Sequence, residues 1–383
     1  MKREIGSITF WEEFPQVPLI QATSALLGVT PLVIATGLAS KKAFSDRPNL
    51  VMSRPHGAVP PIIRSPSREQ IHDIVEERSA TKDVHVVHGF GTSVPLQQAH
   101  QQLAGTEATI FVSSEAGRTF PPHLSALRRA RHLAQSLRYS RRIAGFLAIG
   151  KGAEDYFAPL KMLTTTLPYG YFIEPNGKGP DVNSTGWHHR LVFAGQLTKR
   201  KGLDILLRAM ANLKSQNVTL QVAGDGPERR RLEGLSELLG LSSKVTWLGK
   251  VRNENVKDLL AASTIAVLPS RFDGWGVIVN EALVAGIPVV VSDAVGARSV
   301  VISDDVGLTF RSGSAQSLAS ALDALLVREN ESVVSRRERS EWAKQRLTAS
   351  AGASYLVDIL QADVSELQYQ ERFIPPWQRP PLG

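Results

Sequence analysis

The stretch from Leu268 to Asp293 limits the possible fold more than any other part of the chain. The apolar run that ends at Leu268 is typical of a buried strand. A loop with two glycines, Gly274 and Gly276, comes next, followed by a helix-compatible run that ends at Gly286. A second apolar run then closes the stretch. Strand, loop, helix and strand in this order predict one unit of a parallel α/β sheet.

The loop in this stretch has features that suit a phosphorylated ligand. Glycine-rich loops that lead into helices present backbone N–H groups to anions. Asp273 precedes the loop and Glu281 lies in the helix, eight positions later, and both carboxylates can hold hydroxyl groups. Seen alone, each acid fits an ordinary structural role in a turn or on a helix surface. Together with the loop, they suggest a site for a sugar nucleotide.

The remainder of the chain repeats the same alternation, so we expect further βαβ units and mostly parallel sheets. Glycine, proline and asparagine are concentrated between the two halves, which indicates a linker. We predict a first domain over residues 1–175, a linker over 176–187 and a second domain over 188–355. Residues 122–146 and 336–360 are each predicted to form one helix, and 375–383 an exposed tail.

Composition excludes several classes of site. The sequence has no cysteine, which rules out disulfides, thiolate nucleophiles and cysteine-based metal sites. The first ten residues lack the apolar core of a signal peptide, and no stretch approaches the roughly 20 apolar residues of a membrane span. A cytoplasmic protein is therefore expected.

The net charge of +8 is concentrated in the first half, where residues 1–180 carry +6. No acid occurs between Glu115 and Glu154, whereas this interval is rich in cations. The basic segment 118–151 fits either a solvated helix face or a contact with anionic lipid on the inner face of a membrane, where each cation contributes up to about 1 kcal/mol. Nucleic acid is not expected, because aromatic residues are sparse here and no nucleic-acid motif is present.

Two further strand-to-helix loops are candidate ligand sites. The loop from Gly195 to Gly202 contains Lys199, Arg200 and Lys201 and fits either a diphosphate site or a solvated basic loop. The turn from Ala223 to Pro227 lacks the third glycine of a dinucleotide fingerprint, so we interpret it as a tight turn.

Two histidines on one predicted strand raise the question of a metal. His85 and His88 are three residues apart, so they point to opposite faces and are not expected to share an ion. His88 stands at the exit of the strand, where it could line a cleft, but a structural role is the preferred interpretation. No motif for metal binding is present, and no cofactor is expected.

At this point the motifs resemble those of retaining GT-B glycosyltransferases, most closely glycosyltransferase family 4. The residues that carry the resemblance are Phe193 to Gly202, Val222 to Pro227, Leu248 to Val251 and Leu268 to Asp293. The resemblance is strong over about residues 190–330. It implies two Rossmann-like domains whose parallel sheets face each other across a cleft. It also implies a final helix that crosses back to the first domain, here within 356–383.

The resemblance also implies roles for individual residues. Glu281 would hold the donor's ribose hydroxyls, Asp273 the sugar hydroxyls and Lys201 the diphosphate. Backbone amides from Gly274 through Trp275 and Gly276 to Val277 would approach the sugar and phosphate. The remaining implied donor-binding residues are Gly195, Gln196, Arg200 and Val251, the last in a loop near the base.

Four departures from the family pattern are visible. The first acid is Asp273 rather than the usual glutamate, and Gln196 replaces a common arginine, for which Arg200 could compensate. Glu115 stands where many members have a histidine near the reacting sugar, and could replace it as a hydrogen-bond acceptor. The segment from Trp11 to Pro15 replaces the usual glycine-rich loop after the first strand.

The resemblance predicts a retaining, metal-independent transferase that moves a hexose from a nucleoside-diphosphate sugar to a hydroxyl group. The acceptor would be a glycan or lipid-linked glycan in envelope or exopolysaccharide synthesis. Two alternatives remain open. One is a sugar synthase or phosphorylase with a soluble acceptor, and the other is a non-catalytic subunit that binds a sugar nucleotide and regulates a partner.

Overall fold

A computed structural model describes residues 2–12, 16–36, 60–90, 93–116, 125–175, 189–215, 217–327 and 333–379. The chain divides into two compact units. Unit 1 comprises Met1–Glu174 together with Ala349–Arg379, and unit 2 comprises Pro175–Thr348. The predicted linker, 176–187, lies outside the described residues.

Unit 1 contains a sheet of seven parallel strands in the order β3-β2-β1-β4-β5-β6-β7. The strands are β1 Ser7–Glu12, β2 Leu32–Ala35, β3 Ile62–Arg64, β4 Asp83–His88, β5 Thr109–Glu115, β6 Gly145–Ile149 and β7 Thr165–Tyr169. Its helices in the first part of the chain are α1 Val17–Leu27, α2 Arg68–Glu77, α3 Val94–Leu103, α4 Ser125–Ser140 and α5 Lys151–Tyr156. A 3-10 helix, Ala158–Met162, precedes β7.

Local sequence explains several boundaries in unit 1. Helix α2 begins after Ser67, whose side chain accepts a hydrogen bond from the backbone N–H of Gln70, while the Gln70 side chain accepts one from the Ser67 N–H. This reciprocal capping box satisfies two N–H groups at the helix start. Helix α4 was predicted over 122–146, and the structure ends it at Ser140. The backbone turns there, because Arg142 N–H donates to Tyr139 and Ile143 N–H to Ser140 before β6 begins.

Unit 2 contains a sheet of six parallel strands in the order β10-β9-β8-β11-β12-β13. The strands are β8 His189–Ala194, β9 Val218–Ala223, β10 Val245–Gly249, β11 Ile265–Leu268, β12 Val289–Ser292 and β13 Gly307–Phe310. Its helices are α6 Leu203–Met210, α7 Arg229–Leu238, α8 Asn253–Ala261, α9 Ile278–Val284, α10 Ala315–Leu326 and α11 Val333–Arg346. Short 3-10 helices occupy Lys199–Lys201 and Gly296–Val300.

The inner strands of both sheets are buried on their two faces, which is why they are apolar runs rather than alternating ones. In unit 2, the four residues of β11 and the four of β12 are all buried. In unit 1, the five residues of β6 are buried in the same way. The chain therefore contains the parallel sheets that the alternating pattern predicts and the two Rossmann-like domains that the resemblance implies.

The end of the chain returns to unit 1. The helix predicted over 336–360 is two helices, α11 and α12 (Ala349–Gln361), and only α12 belongs to unit 1. The Tyr355 hydroxyl has one proton to donate and lies 2.8 Å from the backbone oxygen of Pro168 and 3.2 Å from that of Phe373. The prediction of an exposed tail from residue 375 is wrong for Trp377, which is 1% exposed and packs near Phe172. Burial of its aromatic surface outweighs the tendency of proline-rich ends to stay solvated.

Within the described part of the chain, no helix is both long enough and apolar enough to cross a membrane.

Candidate functional site

The loops that follow β8 and β11 meet at one edge of the second sheet. These strands are neighbours although they are far apart in sequence, since the strand order reverses between them. Ligands of open α/β sheets bind outside the carboxyl ends of the strands at such a switch point. The basic loop from Gly195 to Gly202 and the loop from Pro269 to Val277 therefore lie where a ligand is expected.

Asp273 is the centre of a charged cluster at this edge. Its Oδ2 lies 2.5 Å from Lys201 Nζ, and its Oδ1 lies 3.5 Å from Arg200 Nη1. The Arg200 guanidinium also donates to the backbone oxygen of Phe272 at 2.9 Å. The side chains of Asp273 and Lys201 are 14% and 16% exposed, so their attraction is screened less than that of a surface pair.

The protonation of Asp273 follows from this arrangement. Burial acts to raise its pKa, but the positive charges of Lys201 and Arg200 and their hydrogen bonds more than offset this effect. The pKa of Asp273 is consequently below its usual value, and the carboxylate is ionised at neutral pH. The site thus combines one anion with two cations that are directed to the same strand ends.

Two glycines allow these loops to approach each other. Gly202 has a φ of 69°, and a Cβ atom there would lie 2.0 Å from the backbone oxygen of Pro269. A Cβ atom on Gly296 would lie 1.8 Å from the backbone oxygen of Gly274. Any side chain at either position would push a loop away, so glycine fixes the spacing around Asp273.

The buried side chain of Trp275 attaches the glycine-rich loop to the core. This side chain is 1% exposed, and its Nε1 donates to Oδ1 of the buried Asn280 at 2.9 Å. The Trp275 ring is therefore part of the core, and only its backbone can reach a ligand. Gly276, with a φ of 100°, provides the left-handed turn into the next helix.

The other residues predicted for the donor side have different surroundings. Glu281 is half-buried in α9, and its backbone N–H donates to Val277 at 3.2 Å. Val251 is half-buried in the loop after β10, and Gln196 is exposed. Gly195 lies beside Lys201, because a Cβ atom placed on it would be 3.7 Å from Lys201 Cε. The structure thus joins Lys201, Arg200 and Asp273 by direct contacts, whereas Glu281 lies in the following helix and Val251 in the loop after β10.

Glu115 belongs to unit 1, where it is the last residue of β5 and is half-buried opposite Ile149 on β6. Of the segment from Trp11 to Pro15, residues 13–15 lie outside the described part, whereas Trp11 and Glu12 end β1.

Sequence reasoning missed the pair that supports the charged cluster. Arg271 forms two hydrogen bonds to Asp204, each 2.8 Å long, and its backbone N–H donates to the Arg200 oxygen at 2.8 Å. Its guanidinium also donates to the Lys199 oxygen at 2.9 Å. A two-bond arginine–carboxylate pair is geometrically specific, so it holds both loops in register. Its sequence signal was an arginine inside an otherwise apolar and glycine-rich stretch.

The two histidines of β4 have separate surroundings. His85 Nδ1 accepts from Trp11 Nε1 at 3.0 Å, which assigns the imidazole proton to Nε2, where the Arg78 oxygen accepts at 2.7 Å. Burial lowers the pKa of His85 to about 4, so it is a neutral core residue. His88 lies at the strand exit, 18% exposed. Among the described residues, no group of three or more histidines and acids could hold a metal ion.

Comparison with known proteins finds a family match within the second half of the chain. Residues 186–346 match the family of glycosyl transferases group 1. The match includes Lys201, Asp273 and Glu281, and it covers less than half of the chain.

Curated relatives resemble part of the chain. An uncharacterized glycosyltransferase, MJ1607, from Methanocaldococcus jannaschii is 35% identical over 137 residues, which is 36% of this chain and 35% of the relative. A GDP-mannose-dependent alpha-(1-6)-phosphatidylinositol monomannoside mannosyltransferase from Mycobacterium tuberculosis is 26% identical over 182 residues, 45% of this chain and 47% of the relative. The chain thus matches about a third to a half of the length of these relatives.

Solved structures resemble nearly the whole chain. Anabaena Alr3699/HepE in complex with UDP and glucose superposes with a TM-score of 0.66 at 17% identity, over 92% of this chain and 99% of that one. The lipopolysaccharide outer core galactosyltransferase WaaB superposes with a TM-score of 0.67 at 15% identity, over 95% and 99%. At such low identity the likeness concerns the fold alone, and it confirms the predicted fold class of GT-B glycosyltransferases with two Rossmann-like domains.

Proposed function

We propose that this protein is a retaining glycosyltransferase that moves a hexose from a nucleoside-diphosphate sugar to a hydroxyl group. The observation that carries the proposal is the cluster of Lys201, Arg200 and Asp273. It lies at the switch point of the second sheet, inside the segment that matches glycosyl transferases group 1. Two cations beside a glycine-rich loop suit a diphosphate, and carboxylates suit the hydroxyls on either side of it.

In this proposal Lys201 and Arg200 neutralise the diphosphate as it departs. Glu281 holds the ribose, and Asp273, through its contacts with both cations, links the diphosphate end of the site to the sugar end. Backbone amides from Gly274 to Val277 add dipoles, and the departing diphosphate takes the proton of the acceptor. Catalysis then consists of positioning and electrostatic stabilisation, and the two cations supply the charge that a metal would otherwise provide.

For the acceptor, we propose a glycan or lipid-linked glycan of the cell envelope. The mycobacterial relative is named for a phosphatidylinositol mannoside, which is a membrane lipid. In this proposal the basic segment 118–151 rests on an anionic surface at the cytoplasmic face of a membrane, and its described arginines Arg138, Arg141 and Arg142 are exposed. Several cations acting together would localise the protein there.

The test is a calorimetric titration of the full-length protein with UDP-, GDP- and ADP-sugars, followed by measurement of nucleotide release. Lys201→Ala is expected to lower kcat by about 100-fold, since one electrostatic contact to a leaving group is of that magnitude. Lys199→Ala is the matched control, because Lys199 lies in the same turn but is exposed. Unchanged kcat in Lys201→Ala at saturating donor would refute its role at the leaving group.

Other outcomes separate the alternatives. Binding of a sugar nucleotide without turnover, with every acceptor and with water, would support a non-catalytic regulatory subunit. Turnover that requires inorganic phosphate or a free sugar would support a phosphorylase or sugar synthase. If none of the sugar nucleotides binds, the proposal fails.

A further inference from the structure

The first sheet has its own switch point, and polar side chains are gathered there. β1 and β4 are neighbours because the strand order reverses between them. Glu12 is the last residue of β1 and His88 the last residue of β4, while Ser113 lies opposite His88 on β5. The rule that places the charged cluster of unit 2 at a ligand site applies equally to this edge.

The contacts of His88 define its hydrogen-bonding capacity. Its Nδ1 lies 3.3 Å from Ser113 Oγ and 3.8 Å from Glu12 Oε2. The Ser113 hydroxyl can donate to Nδ1 or accept from it, whereas the Glu12 carboxylate on the same side can only accept, so its negative charge favours the tautomer with the proton on Nδ1. Nε2 then presents a lone pair, and within the described ranges it has no hydrogen-bond partner. The side chains of Glu12 and His88 are 10% and 18% exposed, so this edge is mostly buried yet still open to solvent.

The arrangement does not support a serine nucleophile. In a Ser–His–acid relay, the serine and the acid contact opposite nitrogens of the imidazole. Here both contacts are to Nδ1, and Ser113 is buried. Ser113 and Glu12 therefore orient the imidazole, and Nε2 is the atom left to interact with a ligand.

We infer that Glu12 and His88 form a binding site for the hydroxyl group of a neutral polyhydroxylated acceptor, such as a sugar or a cyclitol. The inference rests on the proposed function and specifies its acceptor side. His88 Nε2 accepts the hydrogen bond of a hydroxyl beside the attacking one, whose own proton goes to the departing diphosphate. Glu12, with its negative charge near Nδ1, keeps the imidazole in the tautomer that can accept this bond. His88 is thus an acceptor-binding residue and Glu12 a positioning residue.

Two substitutions of His88 separate this role from a structural one. His88→Gln places an amide group near the position of Nε2, so a hydrogen-bond acceptor remains there. The shorter side chain of His88→Asn can keep the contact with Ser113. It does not extend to the position of Nε2, where the acceptor substrate would bind. Glu12→Gln keeps the size of the side chain and removes its charge. His72→Ala is the control, since His72 is exposed on α2.

The experiment uses the full-length protein with the best sugar nucleotide from the titration above. Donor hydrolysis, with water as the hydroxyl acceptor, and transfer to myo-inositol and octyl glucoside are measured. We expect His88→Asn to reduce the rate of transfer to the better of the two polyols about 10- to 100-fold, with the hydrolysis rate and the donor affinity changed less than twofold. His88→Gln should retain at least a third of the wild-type rate, and Glu12→Gln should fall between them.

The outcomes distinguish the two proposals. If donor binds and turns over but His88→Asn has the wild-type transfer rate, or if the wild type transfers to neither polyol, the acceptor site is refuted and the proposed function stands. The acceptor site is also refuted if His88→Asn weakens donor binding as much as it slows turnover, or if His88→Gln is as slow as His88→Asn. If no sugar nucleotide binds or turns over, the proposed function fails, and this inference fails with it.

Discussion

At the scale of single residues, Asp273 both completes the charged cluster and stabilises it. Asp273→Asn leaves Lys201 and Arg200 close together without their anion, and breaking such a pair should lower the free energy of unfolding by about 3 kcal/mol. Because the pKa of Asp273 is below its usual value, its contribution is complete above the unfolded pKa and is lost as the pH falls through the folded pKa. Urea unfolding should show that the variant loses this acid dependence.

The control for this substitution is Asp258→Asn, since Asp258 is exposed on α8. It should change stability by less than about 0.5 kcal/mol. Equal stability of Asp273→Asn and the wild type would contradict the importance of the pair.

A second residue, His85, should make the stability of unit 1 depend on pH. Burial lowers its folded pKa to about 4 from an ordinary value of 6.5, so the neutral form is favoured by folding. The stabilisation that neutral His85 gives the fold is complete above pH 6.5 and is lost as the pH falls toward 4. At pH 5 the loss in free energy of unfolding is about 2 kcal/mol. His85→Gln keeps a donor and an acceptor for Arg78 and Trp11 but does not titrate. Urea unfolding at pH 8 and pH 5 should therefore show a smaller acid loss in the variant. A loss as large as in the wild type would exclude His85 as a source of the acid sensitivity.

At the scale of elements, the turn from Lys199 to Gly202 positions the two cations of the charged cluster at the edge of the second sheet, where we propose that the donor binds. Gly202→Ala combines strain at a positive φ with a clash against the Pro269 oxygen. Gly240→Ala is a matched control, with a φ of 68° and nothing within 4 Å of its Cβ position. The control should lose about 1 kcal/mol of stability, whereas Gly202→Ala should lose more and also bind donor at least tenfold more weakly. If calorimetry gave equal donor affinities for the two variants, the turn would not control the site.

The elements also show what a sequence can predict and what it cannot. The strand–loop–helix–strand order around Asp273 was predictable, because local apolar periodicity and glycine positions determine it. The direct pairing of Asp273 with Lys201 was not, since it depends on β8 and β11 becoming neighbours across a long sequence separation. For the same reason the bond from Trp11 to His85 and the cluster around His88 could not be seen in the sequence. The burial of Trp377 was missed because a proline-rich end has no periodicity.

At the scale of the whole molecule, two separate segments of the chain form unit 1, and the second of them contributes to its core. Helix α12 packs on α1, and Gly352 lies so close to Phe172 that a Cβ atom would be 2.4 Å from its ring. Residues 349–379 therefore stabilise a unit that begins at the other end of the chain. Non-local contacts of this kind make the folding of unit 1 dependent on residues 349–379.

This dependence predicts that substitutions near the end of the chain act on unit 1 alone. Trp377→Ala removes a fully buried aromatic side chain, which should lower the free energy of unfolding of unit 1 by about 3–5 kcal/mol. Leu206→Ala removes a core residue of unit 2 and should lower its stability by about 2–5 kcal/mol. Hydrogen exchange monitored by mass spectrometry can follow each unit separately. We expect Trp377→Ala to speed exchange in β4 and β6 but not in β9 and β12, and Leu206→Ala to do the reverse. Equal acceleration in all four strands would mean that the two units unfold together, so that the return of the chain to unit 1 couples the stability of the entire molecule.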